Sequence, residues 1–403
     1  MKDEWQTKAL GNVCEFVRGP FGGSLKKSVF VEDGFAVYEQ QHAIYNQFEA
    51  IRYFIDETKF REMQRFELRP NDLIMSCSGT MGKVAIVPGK IRQGIINQAL
   101  LKLTPSDKIS PQFLKYWMDS TSFQDSLKDQ SGGVAIQNVA SVSILKEIKI
   151  SLPPLPEQQR IVGTLDEAFA GIATAKANAE NNLQNARALP DNCLQFIINK
   201  YRESWTVKRL NQIADSISTG PFGTMLHKSD YVTDGIPLVN PMNIVDSSIV
   251  PSSRMMVSEE TRDNLSAYIL KAGDVVIGRR GELGRCALVT DREAGWLCGT
   301  GSFFVRLSAV MDGDFFVSLF GSEQVKARLN SDAVGATMSS LNHGILNNLL
   351  LPVPPIKVQR QIIANIHALR SETQSLESLY QQKLAALDEL KKSLLHQAFN
   401  GQL

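Results

Sequence analysis

Residues 79–84 are the part of the sequence that most resembles a catalytic motif, because they read Gly-Thr-Met-Gly-Lys-Val. A phosphate-binding loop would require a glycine where Cys77 stands and a serine or threonine where Val84 stands. The counterpart in the second half of the chain has Arg285 in place of Lys83, so the two share only a basic residue after a glycine turn. The pattern predicts a β-hairpin. It leaves open whether the two basic residues also face DNA phosphate.

The other groups with catalytic potential show no reactive spacing. No Cys-x-x-Cys pair, Gly-x-Ser-x-Gly turn or glycine-rich methyl-donor fingerprint occurs, and the charged run 388–392 is typical of a solvated helix face. We therefore predict a chain that is not an enzyme and holds neither metal nor cofactor. Scattered cysteines favour a reducing, cytoplasmic location. The histidines and cysteines concerned are His42, His227, His343, His367, His396, Cys14, Cys77, Cys193, Cys286 and Cys298.

Charge is almost balanced, with 43 lysines and arginines against 42 acidic residues and a net charge of +1. A strongly basic chain would have indicated nucleic acid from composition alone. Any duplex contact must here come from local patches or be shared with a partner. No apolar run reaches membrane-spanning length, so no membrane is expected. The candidate DNA-binding residues are Arg18, Lys26, Lys27, Lys83, Arg92, His227, Lys228, Arg254, Arg279, Arg280 and Arg285.

Several of these candidates follow a repeated Gly-Pro-Phe-Gly sequence, found at 19–22 and again at 220–223, which is 201 positions further on. One interpretation is a tight turn with a buried phenylalanine anchor. The other is a loop that brings backbone amides and the nearby basic residues (Lys26 and Lys27, or His227 and Lys228) against a duplex.

The segments that follow each Gly-Pro-Phe-Gly sequence also repeat. Strands are expected at 35–38 and 236–239, and a turn leading into a buried strand at 68–75 and 270–277. Helical stretches follow at 111–128 and 312–329. With 403 residues the chain should form more than one core. A unit of about 200 residues that occurs twice indicates a tandem duplication.

A second repeated motif occupies residues 152–165 and 353–366, again 201 positions apart. Its prolines should end the preceding strand, and Pro156 with Glu157 suits the first turn of a helix. We predict a long helix after each copy. Residues 160–189 would span about 45 Å and the second helix about 60 Å at 1.5 Å per residue. Pro190 should kink or end the first helix near Leu189.

Both predicted helices carry apolar residues at steps of three or four, with charges and amides on their other faces. Such seams favour two helices packed lengthwise, and the duplication predicts an antiparallel pair with approximate two-fold symmetry. The residues assigned to helix–helix or partner contact are Val162, Leu165, Phe169, Ile172, Ile362, Ile366, Leu369, Leu376, Tyr380 and Leu387.

These features resemble the specificity subunit of type I restriction-modification systems. The resemblance spans the chain and is carried by Pro-Pro-Leu-Pro-Glu-Gln-Gln-Arg-Ile, its C-terminal counterpart and the ending Leu-Leu-His-Gln-Ala-Phe-Asn-Gly-Gln-Leu. It implies double-stranded DNA as ligand, two modification (methyltransferase) subunits on the helices, and restriction/translocase subunits joined to them. S-adenosylmethionine, ATP and Mg would serve those partners. The chain departs from the pattern at Pro190 and at Lys357-Val358, which replaces Pro-Glu.

We therefore predict an α+β chain with similar target-recognition domains at 1–151 and 204–351. Two long antiparallel spacer helices, within 152–203 and 352–403, would complete a pseudo-two-fold tandem repeat. The expected function is non-catalytic recognition of a bipartite, asymmetric DNA target that directs adenine methylation and restriction by partners. The half-sites could be read by segments 41–66 and 242–266, which differ between the domains. The alternative is a scaffold that binds protein partners through coiled-coil helices.

Overall fold

The computed structural model describes residues 5–21, 23–129, 141–333 and 340–403. The chain forms two compact units. The first contains Met1–Asn181 together with Gln381–Leu403, and the second contains Asn182–Tyr380. Each unit therefore combines one domain of mixed helices and strands with a part of each of two long helices.

The first domain begins and ends with a strand, and these two strands, β1 and β10, pair antiparallel. Its strands are β1 (Gln6–Ala9), β2 (Cys14–Arg18), β3 (Phe30–Val31), β4 (Phe35–Tyr38), β5 (Tyr53–Ile55), β6 (Leu73–Ser76), β7 (Val84–Ile86), β8 (Gly94–Ile96), β9 (Leu100–Pro105) and β10 (Lys149–Leu152). Its helices are α1 (Gln40–Tyr45), α2 (Glu57–Glu62), α3 (Pro111–Asp119), α4 (Thr121–Asp129) and α5 (Val142–Glu147).

Two four-stranded sheets form this domain. One is antiparallel with the order β2-β9-β6-β7, and the other has the order β3-β5-β4-β8 with β4 and β8 parallel. Strand β6 is apolar at successive positions because both of its faces are buried. Leu73 and Met75 join Phe113 of α3 in one core, whereas Ile74 joins Tyr38 of the second sheet in another.

The first long helix is α6 (Leu155–Tyr201), and the second domain follows it. The strands of that domain are β11 (Thr206–Arg209), β12 (Ala214–Thr219), β13 (Tyr231–Val232), β14 (Ile236–Val239), β15 (Ile244–Val245), β16 (Ser248–Ile249), β17 (Met256–Val257), β18 (Asp274–Gly278), β19 (Cys286–Leu288), β20 (Leu297–Cys298), β21 (Ser302–Leu307) and β22 (Leu350–Val353). Its helices are α7 (Glu259–Asn264), α8 (Gly313–Phe320), α9 (Glu323–Asp332) and α10 (His343–Asn348), and α11 (Ile356–Phe399) ends the chain.

The second domain repeats the topology of the first. Its sheets have the orders β12-β21-β18-β19 and β13-β17-β14-β20, and β11 pairs with β22. Val275 and Ile277 of β18 pack with Phe315 of α8, and Val276 packs with Val239 of the second sheet. The strands expected at 35–38 and 236–239 are β4 and β14, and the α+β class with duplicated domains is confirmed.

Within each unit the two long helices run antiparallel. In the first unit Lys391 of α11 lies 4.9 Å from the ring centre of Phe169, and Lys176 donates to Asp388 at 2.6 Å. In the second unit the corresponding ion pairs are Arg187 with Glu377 at 2.9 Å and Arg370 with Asp191 at 3.4 Å. In both units the partner number on α11 falls as the number on α6 rises, as antiparallel packing requires.

Of the two outcomes expected at Pro190, a kink or an end of the first helix, the end is wrong, because α6 continues to Tyr201. An interior proline removes one backbone hydrogen bond and costs about 3 kcal/mol. Beyond it, Leu194 and Ile198 are buried in the core of the second unit, and each such side chain contributes about 1.5–3 kcal/mol on burial. Packing beyond the proline therefore outweighs the local cost.

The single helical stretches expected at 111–128 and 312–329 are each divided in two by a serine. Ser120 separates α3 from α4 and has an extended backbone, and its hydroxyl donates to the carbonyl oxygen of Trp117 at 2.6 Å. Ser322 precedes α9 with the same conformation and donates to Leu319 at 2.6 Å. A serine that satisfies its own helix terminus competes with continuation of the helix.

Candidate nucleic-acid interface

The ends of several strands meet at one edge of the first domain. Arg18 at the end of β2 pairs with Leu101, and Ser76 at the end of β6 pairs with Leu100 at the start of β9. The parallel strands β4 and β8 end side by side at Tyr38 and Ile96. The connections that leave these ends, residues 19–21, 39–40, 77–83 and 97–99, are called the first loop cluster.

Backbone hydrogen bonds tie the first loop cluster together. The Cys77 N–H donates to the carbonyl of Ala99 at 2.9 Å, and the Asn97 N–H donates to Tyr38 at 2.9 Å. The Ser78 N–H donates to the Gln40 side chain at 3.3 Å. The loops are thus held by strand ends, which places the side chains they carry on a fixed framework.

The second domain builds an equivalent second loop cluster from residues 220–222, 240–243, 279–285 and 299–301. The Arg279 N–H donates to Gly301 at 2.9 Å, and the Gly301 N–H donates to the Asn240 side chain at 3.2 Å. The Gly299 N–H donates to Val239 at 2.8 Å, as the Asn97 N–H does to Tyr38 in the first domain. The duplication therefore extends to the hydrogen bonds of the loops.

The Gly-Pro-Phe segments begin each cluster and require their first glycine. A Cβ at Gly19 would lie 1.8 Å from the Asn97 carbonyl oxygen, and one at Gly220 would lie 2.0 Å from that of Gly299. The prolines that follow are buried, but Phe21 is 88 % exposed and Phe222 is 54 % exposed. The interpretation of a buried phenylalanine anchor is therefore wrong in both domains. Gly22 lies outside the described residues.

The glycine turns at 77–83 and 279–285 join β6 to β7 and β18 to β19, so the predicted hairpins are confirmed. Gly82 and Gly284 have positive φ values of 74° and 92°. Each turn packs closely on the helix behind it, since Gln124 donates to the Gly82 carbonyl at 2.9 Å and a Cβ at Gly284 would meet Lys326 at 2.5 Å. The basic residue that ends each turn is thereby left facing outward.

The two basic residues of the hairpins differ in their surroundings. Lys83 is exposed and has no ion-pair partner among the residues that the structure describes. Arg285 is also exposed, but it donates to the Glu282 carboxylate at 2.7 and 3.0 Å. That hydrogen bond and its charge lower the pKa of Glu282. Lys83 is thus available for an anion, whereas Arg285 would first have to leave its carboxylate partner.

The remaining arginine candidates of the second domain lie at or beside its loop cluster. Arg279 is half-buried and donates to the Leu341 carbonyl at 3.3 Å, whereas the neighbouring Arg280 is exposed. Arg254 is exposed just before β17, whose first residue pairs with Pro237 of β14. His227 and Lys228 are exposed further along the loop that begins at Gly220.

In the first domain, Arg18 is half-buried at the start of the cluster, and Lys26 and Lys27 are exposed on the loop that begins at Gly19. Arg92 lies elsewhere, since it precedes the opposite end of β8. Its guanidinium pairs with the Asp33 carboxylate, donates to the Gly34 carbonyl at 2.8 Å and lies 4.6 Å from the ring centre of Phe54. These contacts give Arg92 a structural environment away from the loop cluster.

The segments that were expected to differ between the domains begin at the loop clusters, where they follow the ends of β4 and β14. After β4 the first domain forms helix α1, at whose end Tyr45 is 73 % exposed. After β14 the second domain forms a short 3-10 turn and the hairpin β15–β16, where Val245 is 47 % exposed. The same strand end thus presents a different surface in each domain.

The helix residues that were predicted to form an interface differ in how deeply they are buried. Leu165 belongs to the core of the first unit with Leu395 of α11, and Ile362 and Ile366 belong to the core of the second with Leu194 of α6. Ile172 is buried, and Val162, Phe169, Leu369, Tyr380 and Leu387 are half-buried. Leu376 is 42 % exposed and lies outside these cores.

Sequence reasoning missed the role of the buried glutamines in the Pro-Pro motifs. The Gln158 side chain accepts from the Ser110 N–H at 2.8 Å and donates to the carbonyls of Lys108 and Pro153 at 3.0 and 2.9 Å. Gln359 makes the same three contacts with Asp312, Val310 and Pro354 at 2.8, 2.8 and 2.7 Å. The sequence did contain a signal for this role, because a glutamine occurs at the same position of both Pro-Pro motifs.

Burial raises the pKa of Cys14, Cys77 and Cys286 to about 12, so these thiols are poor nucleophiles. No cluster of histidine, cysteine and acidic side chains suited to a metal ion occurs in the described ranges. Over the same ranges, no helix has the length and apolar composition to cross a membrane.

These observations define a class of protein with a duplicated α+β scaffold that presents one loop cluster in each copy. The chain belongs to the family of the type I restriction modification DNA specificity domain, whose sequence profile matches residues 2–185 and again residues 202–385. The resemblance noted from the proline-rich motifs is thus confirmed, and it applies to both halves of the chain.

Individual relatives are similar along most of their length. The chain is 22 % identical to the type I restriction enzyme MjaVIII specificity subunit of Methanocaldococcus jannaschii, over 100 % of this chain and 93 % of that protein. It is 23 % identical to the EcoKI specificity subunit of Escherichia coli, over 87 % of this chain and 78 % of that protein.

Solved structures show the same fold. A chain from a structure that addresses complex assembly and conformational transition of the type I R-M system has a TM-score of 0.75 at 18 % identity, covering 100 % of this chain and 99 % of that one. The HsdS subunit from Thermoanaerobacter tengcongensis has a TM-score of 0.62 at 18 % identity, covering 100 % and 98 %.

Proposed function

We propose that this chain is the non-catalytic, sequence-reading subunit of a type I restriction-modification complex. It recognises a bipartite, asymmetric site on double-stranded DNA, one half-site for each domain. The observation that carries the proposal is the pair of loop clusters, which share strands and hydrogen bonds but differ after β4 and β14. A common scaffold with different surfaces suits a reader of two unlike half-sites.

Base contacts specify a sequence, and phosphate contacts fix orientation. The exposed basic residues Lys26, Lys27, Lys83 and Arg280 supply candidates for phosphate contact. The segments after β4 and β14 are the candidates for base contact. A net charge of +1 accords with a reader that shares phosphate contact with partner subunits.

The partners follow from the family. We expect two modification subunits that contact the long helices and methylate adenine with S-adenosylmethionine, and restriction subunits that use ATP and Mg. The methylation and cleavage steps belong to those partners, and the cofactors bind there. This chain contributes the choice of site.

The test is a map of methylated adenines in DNA from cells that co-express this chain with its modification subunit. We expect a split motif with a fixed gap that disappears when this chain is omitted. A stable complex that adds no methylation would contradict the proposal and favour a protein scaffold.

The two halves of the motif can then be assigned to the domains. Tyr45→Ala, at the end of α1, should relax only the first half-site, and Val245→Ala, in β15, should relax only the second. A change in the same half of the motif from both variants would overturn the assignment of one half-site to each domain.

A further inference from the structure

The exposed phenylalanines of the loop clusters belong to none of the hydrophobic cores formed by the described residues. Phe21 and Phe222 follow buried prolines and point away from the cores, and they are 88 % and 54 % exposed. A single exposed apolar residue is ordinary. The same aromatic at the same position of both domains, beside loops that otherwise differ, indicates a function shared by the two loop clusters.

Each ring is held on a rigid support. The Gly19 N–H donates to Leu100 at 2.9 Å and the Gly220 N–H donates to Ser302 at 3.0 Å. Neither glycine can be replaced without displacing a strand-end carbonyl, since the added Cβ would lie 1.8 or 2.0 Å from it. The proline that follows fixes its own φ. Each ring thus projects from a fixed backbone, so its insertion into a partner costs side-chain freedom but little backbone freedom.

The surroundings indicate which partner. Lys83 is exposed in the same loop cluster as Phe21, and Arg280 is exposed in that of Phe222, so each cluster combines its aromatic side chain with positive charge suited to phosphate. An apolar side chain flanked by basic residues is the combination by which proteins wedge open stacked bases while holding the backbone.

We propose that Phe21 and Phe222 are DNA wedges, each of which inserts between stacked base pairs of the half-site bound by its own domain. This inference rests on the proposed DNA-reading function. The wedge explains why the aromatic is constant while the base-reading segments vary, because stacking on a phenyl ring depends little on base identity.

The test uses the full chain in complex with its modification subunit and duplexes that carry 2-aminopurine at successive positions of the mapped target other than the methylated adenines, because a methyltransferase flips its target base out of the stack. The wild-type complex should raise the probe's fluorescence at one step in each half-site. Phe21→Ala should abolish only the signal in the first half-site, and Phe222→Ala only that in the second. Each should weaken specific binding by about 10- to 100-fold without changing its salt dependence.

Val31→Ala is the matched control, since Val31 is an exposed apolar residue of the first domain in β3, outside the loop cluster. It should leave the fluorescence and affinity unchanged, and Phe21→Leu should keep part of both. Normal specific binding by Phe21→Ala and Phe222→Ala with the signals intact would overturn the wedge while leaving the DNA-reading function in place. A loss of modification-subunit assembly, with DNA contact unchanged, would also overturn it. Absence of any specific binding by the wild type would instead overturn the proposed function.

Discussion

At the scale of single residues, two buried glutamines join the helices to the domains. Each fills a position where three backbone groups from two chain segments need a partner, and an amide supplies one acceptor and two donors. The charged neighbours Glu157 and Arg160 pair with each other at 2.7 Å on the surface. The uncharged Gln158, which lies between these two charged residues, therefore makes the stabilising contacts of the first Pro-Pro motif.

Gln158→Leu should lower the free energy of unfolding of the first unit by at least about 2 kcal/mol, because it leaves three backbone groups without their buried partner. Gln359→Leu should do the same in the second unit. Denaturant unfolding of the full chain, with hydrogen exchange resolved by segment, measures both. The controls Gln159→Leu and Gln361→Leu alter exposed glutamines beside them. Equal effects of variant and control would contradict this role.

Lys83→Ala should weaken DNA binding and reduce the slope of log affinity against log salt by about 1, as expected for one lost phosphate contact. Arg285→Ala should act in the same direction but less strongly, because Glu282 already neutralises this guanidinium at 2.7 Å. Affinity measured across a salt series is the assay. Lys149→Ala is the control, since Lys149 is an exposed lysine of β10, which pairs with β1 outside the two four-stranded sheets. An unchanged slope for Lys83→Ala would leave Lys83 a purely structural hairpin residue.

The conformation of single residues could be predicted from the sequence only where neighbouring residues determine it. The glycines of the hairpins could be predicted, because positive φ has few other occupants. The exposure of Phe21 could not, because hydrophobicity alone favours burial and its position depends on the contact between Gly19 and Asn97. The buried amide of Gln158 depends on Lys108 and Ser110, which are about fifty positions away. Local patterns carry no information on such contacts.

At the scale of elements, α6 shows that long-range packing can override the local rule that a proline ends a helix. The proline motif correctly marks the start of the helix at Leu155, because the residues before it are held extended. Pro190 suggested an end that does not occur. Ion pairs to α11 lie on both sides of it, from Arg187 and from Asp191, and the buried Leu194 follows. Long-range packing of this kind cannot be predicted from a short stretch of sequence.

The length of the helices is expected to set the gap between the two half-sites. Four helix-forming residues inserted after Ala173, with four more after Glu389 of α11, would keep Lys176 with Asp388 and Phe169 with Lys391. The pair of insertions adds about 6 Å of helix, so the unspecified gap in the methylated motif should grow by about two base pairs. The methylation map measures the gap directly.

The control for the helix insertions is the same four residues placed after Gly89, in an exposed turn of the first domain. This variant should methylate the original motif. An unchanged gap in the double-insertion variant, with methylation retained, would contradict the idea that the helices act as a ruler.

At the scale of the whole molecule, the limits of each folding unit differ from the limits suggested by the repeats. The boundary at 204–351 contains the second domain alone, whereas the second compact unit extends over Asn182–Tyr380. The additional residues contribute Leu194 and Ile198 from α6, and Ile362, Ile363 and Ile366 from α11, to the core of the domain. The helices are therefore part of the core as well as connections.

Residues 182–380 expressed alone should consequently fold, because they carry the whole core and the ion pairs Arg187–Glu377 and Asp191–Arg370. Residues 204–351 should be much less stable, since five buried side chains are lost and each contributes about 1.5–3 kcal/mol. Thermal unfolding and protease resistance compare the two fragments. Equal stability would show that the domain is independent of the helices. If residues 182–380 fold and bind only the second half-site, this fragment is the smallest part of the chain that reads a half-site, and it needs the helix residues that complete its core.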